Sequence, residues 1–176
     1  MKKELVVLRY GHREVRDYRV TSHCALVSRA LGAKKIIICG EENPTTKKTI
    51  ERVNKTWGSK FKVEFTKSWK KTVKEYKDKK YLIIHLTMYG LKLNKLQKEI
   101  QKKNKIMIII GSQKVEREVY EIADINIAVS SQPHSEIAAL AIMLDRIGNG
   151  KELDKKFKNA RRLIIPQPKG KKVIDL

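Results

Sequence analysis

Short apolar runs rich in valine and isoleucine recur along the chain and alternate with longer amphipathic stretches. This alternation predicts an α/β domain with a largely parallel sheet flanked by helices, since a helical crossover returns the chain to the edge where the next parallel strand begins. The runs around Ile36, Ile83 and Ile108 are almost wholly apolar, which is typical of central strands covered on both faces. We expect strands near residues 5–8, 36–39, 62–65, 82–86, 106–110 and 125–129.

Two helices can be placed between or after these strands from their apolar spacing. Apolar residues four, three and four positions apart between Val20 and Leu31 predict a first helix that ends at Gly32. A last helix is expected after Pro133, which suits a first helical turn, and is expected to end at Gly148.

The chain of 176 residues, with 41% hydrophobic content, is long enough for one well-buried domain. Residues 1–150 carry the strand and helix pattern, whereas residues 151–176 form a basic extension with a short apolar segment at 163–165. We expect this extension to pack on the same domain through that segment and to present its charge outward.

The charge is strongly positive, because 40 lysines and arginines face 19 aspartates and glutamates and give a formal net charge of +21. Such an excess favours a polyanionic partner, with nucleic acid as the first choice. The alternative is a lysine-rich solvated surface, of the kind that residues 67–80 present. Charge alone does not identify a particular nucleic acid.

The two cysteines, Cys24 and Cys39, have neither zinc-ligand spacing nor enough partners for a metal site. We expect buried free thiols in a reducing compartment and no metal. Charge interrupts the first apolar run too early for a signal peptide, and no run reaches the roughly 20 residues of a membrane helix. The sequence therefore predicts a soluble, cytoplasmic protein without membrane contact.

Three consecutive strands end in polar loops, at residues 87–90, at 111–115 and within 127–140. Loops that leave parallel strands and lead into helices are common ligand sites, because helix N-termini offer free N–H donors. The chain has neither a Walker loop nor a G-x-G-x-x-G motif, and the loops carry few charges, which favours a ligand with adenine and ribose groups. Each loop taken alone is also compatible with a strand-to-helix connection that binds no ligand.

Six segments carry a resemblance to a known family: residues 8–13, 17–23, 85–90, 111–115, 117–124 and 131–140. In order and spacing, over residues 4–172, the chain resembles the archaeal tRNA cytidine 2′-O-methyltransferases of the SPOUT class. The resemblance implies a homodimer that uses S-adenosyl-L-methionine to methylate the ribose of the T-loop cytidine at tRNA position 56. It also implies an α/β fold with a C-terminal trefoil knot, an exception to the rule that chains avoid threading.

The same resemblance assigns cofactor contacts to the three loops. The implied positions are Leu86, Gly111, Ser112, Gln113, Lys114, Val115, Val129, Ser130, Ser131, Gln132, Pro133, His134, Ser135 and Glu136.

The basic residues near the N-terminus are the candidates for catalysis and RNA binding. Related enzymes use an N-terminal arginine, and Arg19 is the first choice here, with Arg9 and Arg16 as rivals. Since a guanidinium is effectively always charged, Arg19 is expected to stabilise a developing alkoxide or grip a phosphate rather than accept a proton. His23 is the alternative base, although a structural role is equally compatible. Arg9, Arg13 and Arg16 are expected to bind RNA phosphates, although a solvated surface charge is an equal alternative for Arg13 and Arg16.

Two other functions remain open from the sequence. One is a SPOUT methyltransferase that acts on another RNA or on a base, and the other is a non-catalytic RNA-binding protein with the same fold.

Overall fold

Six parallel strands form the central sheet of the computed structural model, which describes residues 3–42, 44–111 and 115–176. The strand order is β3-β2-β1-β5-β4-β6, and every neighbouring pair is parallel. All six predicted strands are confirmed. Their bounds are β1 (Glu4–His12), β2 (Lys35–Gly40), β3 (Lys62–Thr66), β4 (Leu82–Lys92), β5 (Lys105–Gly111) and β6 (Ile125–Ala128).

Helices cover both faces of the sheet, as the apolar central strands predicted. They are α1 (Glu14–Ala30), α2 (Pro44–Trp57), α3 (Trp69–Asp78), α4 (Leu93–Gln101), α5 (Arg117–Ile122) and α6 (Glu136–Gly148). Successive residues of a strand point to opposite faces. In β1, Leu5 and Val7 therefore pack into the core beneath α1, α2, α4 and α6, whereas Val6 and Leu8 pack beneath α3 and α5.

The ends of the predicted helices follow their local chemistry. Helix α1 ends at Ala30, and Gly32 adopts φ +89°, which a glycine reaches without strain. Helix α6 begins later than expected, because the Ser135 hydroxyl, and not Pro133, defines its start by accepting a hydrogen bond from Ile137 N at 3.2 Å. Asn149, in the left-handed conformation, ends this helix.

Strand β4 makes an excursion between two stretches that pair with the same residue of β6. Ile127 is the register partner of Leu86 before the excursion and of Leu91 after it. The chain passes so close to β6 at Gly90 that a Cβ atom there would lie 2.5 Å from Ile127 N. Residues 87–90 therefore curve around the edge of the sheet, and only glycine fits at that contact.

The C-terminal extension forms an antiparallel hairpin of β7 (Arg162–Ile165) and β8 (Lys172–Asp175). It was expected to pack through residues 163–165, but Leu163 and Ile164 are 43% and 58% exposed in the single chain. β7 also contacts α2, so packing of this segment on the domain stays a prediction, and further contacts anchor the extension. The Phe157 ring lies under the Arg29 guanidinium at 4.7 Å, and Arg161 N donates to Thr56 O at 2.9 Å.

Both cysteines are buried and free, as predicted, and burial raises the pKa of the Cys24 thiol to about 12. No helix in the described ranges has the length and apolar character needed to cross a membrane.

Candidate functional site

A cavity of about 490 Å³ opens at the carboxyl ends of β4, β5 and β6, where the three predicted loops meet. This volume lies within the range of about 300–1,000 Å³ that is usual for small-molecule sites. The predicted positions that line it are Leu86, Gly111, Val115, Val129, Pro133, His134 and Glu136.

The other predicted cofactor positions do not line this cavity or fall outside the residues that the structure describes. Ser112, Gln113 and Lys114 fall outside the described residues. Residues 130–132 line a neighbouring cavity of about 690 Å³, between the start of α4 and the outer side of α6. The Ser135 side chain caps the N-terminus of α6 by accepting a hydrogen bond from Ile137 N.

Other residues that line this cavity were not identified as cofactor contacts from the sequence. Met88 and Tyr89 come from the excursion of β4, Tyr120 from α5 and Ala139 from α6. The loop at 87–90 was recognisable as a strand end, which is the signal that could have identified the first two. Tyr120 carries no such signal, because its place depends on how α5 packs.

His85 forms part of the wall of this cavity and is held in a defined orientation. Asn126 Nδ2 donates to Tyr120 O at 2.9 Å, so its Oδ1 faces His85 Nδ1, also at 2.9 Å. This arrangement places the proton on Nδ1 and leaves Nε2 as the acceptor. The Tyr120 ring packs edge-on against the imidazole at 4.7 Å, and burial lowers the His85 pKa below its usual value.

A buried ion pair joins two of the three loops. Arg9 Nη1 donates to Gly111 O at 2.5 Å and to Glu136 Oε2 at 2.7 Å, and its Nε donates to Thr21 Oγ1 at 3.4 Å. Arg9 is 0% exposed. The expectation that it binds RNA is therefore wrong in this structure, because its side chain cannot reach a phosphate at the surface. Arg9 instead fixes the second loop against the third.

The electrostatics of this pair are dominated by burial. Desolvation raises the Glu136 pKa above its usual value, and the attraction of Arg9 opposes this shift without cancelling it. Among the described residues, Arg9 Nη2 has no hydrogen-bond partner. A buried donor left in this way costs free energy, which adds to the weight of burial at this pair.

The remaining candidate residues lie on α1, away from the cavity wall. Arg16, Arg19 and His23 are exposed on this helix. Arg13, which immediately precedes this helix, is also exposed, and its Nε lies 3.6 Å from the Asp17 carboxylate, which also accepts from the Arg13 backbone N–H at 3.1 Å. The single chain thus brings the cofactor candidates together but does not bring Arg19 and His23 to them.

His12 is buried, with 1% exposure. Its Nδ1 lies 2.9 Å from Thr21 Oγ1, so it serves the packing between β1 and α1. Within the described ranges, no cluster of three or more histidine, cysteine, aspartate or glutamate residues is arranged to hold a metal ion.

The fold and the strand-end cavity define the class of protein. The structure is similar to the Aquifex aeolicus TrmH/SpoU tRNA modifying enzyme, with a TM-score of 0.64 and 16% identity, over 86% of this chain and 77% of that one. It is also similar to the SpoU methyltransferase AviRb from Streptomyces viridochromogenes in complex with AdoMet. There the TM-score is 0.58 at 12% identity, over 84% of this chain and 58% of that one. The chain has the fold of the SpoU/TrmH RNA methyltransferases.

The family follows from the sequence. Residues 57–174 match the model of the tRNA ribose 2′-O-methyltransferase family aTrm56, and the chain belongs to that family. A tRNA (cytidine(56)-2′-O)-methyltransferase of Nitrosopumilus maritimus is 53% identical over 167 residues, which cover 95% of this chain and 94% of the relative. The protein of the same name from Thermococcus kodakarensis is 49% identical over 180 residues, with coverage of 100% and 99%.

Proposed function

We propose that the protein methylates the 2′-hydroxyl of the cytidine at position 56, in the T loop of tRNA, with S-adenosyl-L-methionine as methyl donor. Family membership supports the reaction, since relatives about half identical over nearly the whole chain carry this activity in their names. The observation that carries the proposal is the convergence of three strand-end loops around one cavity of cofactor size.

The lining of the cavity fits an adenosine group joined to an amino acid. Leu86, Ile110 and Val129 offer apolar surface, while His134 and Glu136 offer polar groups. When bound, S-adenosyl-L-methionine supplies an electrophilic methyl group on a positively charged sulfur. The chain's part is to hold the loops at fixed separation, which Arg9 does through Gly111 O and Glu136, and to keep water out of an apolar site.

The remaining requirement is control of the charge that develops on the ribose oxygen. Arg19 stabilises that charge or binds the adjacent phosphate, and His23, one helical turn further along α1, is the alternative proton acceptor. Arg13 and Arg16, on the same exposed end of α1, bind tRNA phosphates.

These assignments require the protein to act as a homodimer, because Arg19 and His23 lie outside the cavity wall of their own chain. A second copy that presents its α1 to the cavity completes the site. Support comes from the apolar side chains that the single chain leaves in solvent, including Val15 at 99% exposure, Ile142 at 42% and the hairpin residues 163–164.

The family also leads us to propose a trefoil knot. The close approach of Gly90 to Ile127 supports it, since this is where the β4 excursion wraps the edge strand. We further place the reaction in the cytoplasm, where unmodified tRNA is available.

The function is tested by incubating the protein with methyl-labelled S-adenosyl-L-methionine and a tRNA transcript. We expect label in the transcript, and loss of label when the target cytidine is replaced by 2′-deoxycytidine. Label that persists on the deoxy substrate identifies a base methyltransferase. Absence of any heat on titration with S-adenosylhomocysteine favours the non-catalytic RNA-binding protein.

The shared active site is tested with two inactive variants. Arg19→Ala removes the proposed charge, and Val129→Trp fills the cofactor cavity. After unfolding and refolding together, half of the dimers are mixed and each has one complete site, so about a quarter of the wild-type activity should return. If the mixture stays inactive while each variant folds and dimerises, Arg19 does not act across the interface.

A further inference from the structure

A second cavity, of about 520 Å³, lies at the edge of the sheet opposite the candidate cofactor site. Its walls are the starts of β1, β2 and β3 together with residues 155–159 of the C-terminal extension. In β1, Tyr10 lies six positions after Glu4 and is the register partner of Gly111 in the cofactor wall. At roughly 3.3 Å per residue the two sites are about 20 Å apart.

Eight lysines line this cavity, which is named here the lysine groove. Lys34 pairs with Glu4, and Lys35 pairs with Glu64 at 2.7 Å. Like charges held this close repel one another, so a cluster of unpaired lysines lowers the stability of the fold. A feature that costs stability in this way indicates that the positive potential has a function. Among the described residues, no ion pair is formed by Lys60, Lys62, Lys156 or Lys158.

The outer wall of the groove is fixed to the domain and is not a loose tail. Arg29 is 7% exposed, and its guanidinium stacks over the Phe157 ring while its Nε donates to Asn54 Oδ1 at 2.9 Å. A Cβ on Gly58 would lie 2.5 Å from Lys158 O, so the extension closes tightly against the end of α2. The lysines of residues 155–158 therefore stand opposite those that precede β2 and β3.

The aromatic rings of the groove indicate the part of a polyanion that fits. Phe61 is 5% exposed, and Phe157 carries two cations, with Arg29 at 4.7 Å and Lys155 Nζ at 5.1 Å from its centroid. Rings occupied in this way are poor platforms for stacked bases. The groove offers ammonium groups instead, which recognise phosphate as point charges.

We propose that the lysine groove binds the phosphodiester backbone of the tRNA substrate at a position remote from the reacting ribose. The inference rests on the proposed function, which supplies tRNA as the polyanion. Since phosphate contacts carry no sequence information, the groove holds and orients any tRNA while the cofactor end selects the cytidine. It also gives the C-terminal extension a role, because residues 155–159 form one wall of the groove.

The salt dependence of tRNA binding tests this proposal. In the variant Lys60→Gln/Lys62→Gln/Lys158→Gln, loss of three phosphate contacts should lower the slope of log Kobs against log salt by about 2–3. If wild type and variant bind equally at 1 M salt, this change makes the variant about 100-fold weaker at 0.15 M salt. The matching Lys→Arg triple variant retains the charge and should keep the wild-type slope.

The control is a triple variant with the same net charge, Lys71→Gln/Lys74→Gln/Lys98→Gln, at exposed positions of α3 and α4. The proposal is overturned if both glutamine variants lose the same affinity and slope, because general charge then explains binding. It is also overturned if the groove variant, folded by circular dichroism, binds tRNA like the wild type. Failure of the proposed function is separate, since it appears as absence of methyl transfer by the wild-type protein.

Discussion

Replacement of Arg9 by methionine should weaken both the fold and the cofactor site. The change leaves the Glu136 carboxylate and the Gly111 carbonyl without their donor while keeping an apolar stem in place. Removing one partner of a buried ion pair costs about 3–5 kcal/mol, and the 26% exposure of the Glu136 side chain reduces this to about 3 kcal/mol. In a chain of this length the loss corresponds to a fall in Tm of roughly 6–12 °C.

A surface ion pair of equal length provides the control. Arg162 and Asp175 are also 2.7 Å apart, but their side chains are 54% and 79% exposed. Arg162→Met should change the free energy of unfolding by about 0.5 kcal/mol or less, because solvent already screens that pair. Urea denaturation of both variants measures the contrast. Equal losses from the two substitutions would refute the claim that burial gives the Arg9 pair its weight.

The pH dependence of the same variant gives an independent check. Burial already raises the Glu136 pKa in the wild type, and loss of the neighbouring guanidinium should raise it further. A carboxyl with a raised folded-state pKa contributes stability below its unfolded pKa and loses it as the pH rises through the folded pKa. The loss in free energy of unfolding caused by Arg9→Met should therefore become smaller as the pH falls from 7 towards 5. Binding of S-adenosylhomocysteine, measured where the variant is folded, should be at least about tenfold weaker, or 1.4 kcal/mol.

Three further outcomes are expected. Gly90→Ala places a methyl group 2.5 Å from Ile127 N, so thermal unfolding should show a loss of about 1–3 kcal/mol, and an unchanged Tm would contradict the close contact. Burial lowers the His85 pKa, so the folded state resists the proton that the unfolded chain takes up below pH 6.5. The free energy of unfolding should fall as the pH drops below 6.5, and His85→Gln should flatten this profile in acid titrations. Arg19→Ala should lower kcat by at least about 100-fold with little change in cofactor affinity, and activity within a few-fold of wild type would exclude its proposed role.

Features that depend on local pattern could be predicted from the sequence. The six strands, their parallel arrangement and the meeting of three loops at one edge follow from apolar runs and the fixed direction of βαβ units. The stripe of α1 and the burial of Cys24 follow from spacing. These signals lie within a few residues of one another along the chain, so no tertiary information is needed to detect them.

Features that depend on long-range packing could not be predicted from the sequence. Arg9 looks like any basic residue near the N-terminus, and its burial follows from contact with Glu136, which is 127 positions away. Leu163 and Ile164 have the composition of a packed strand, yet they are exposed in the single chain, and Phe157 beneath Arg29 anchors the extension. In both cases the partner determines the environment, and the sequence does not identify the partner.

The most direct test of the proposed reaction is to map the methyl group on the product. Transcript methylated by the wild-type protein is digested to nucleosides and to overlapping fragments and analysed by mass spectrometry. We predict one new 2′-O-methylcytidine, in the T loop at position 56, and none after reaction with the Val129→Trp variant. A methyl group found on a base, or on the ribose of any other nucleotide, would contradict the proposed activity.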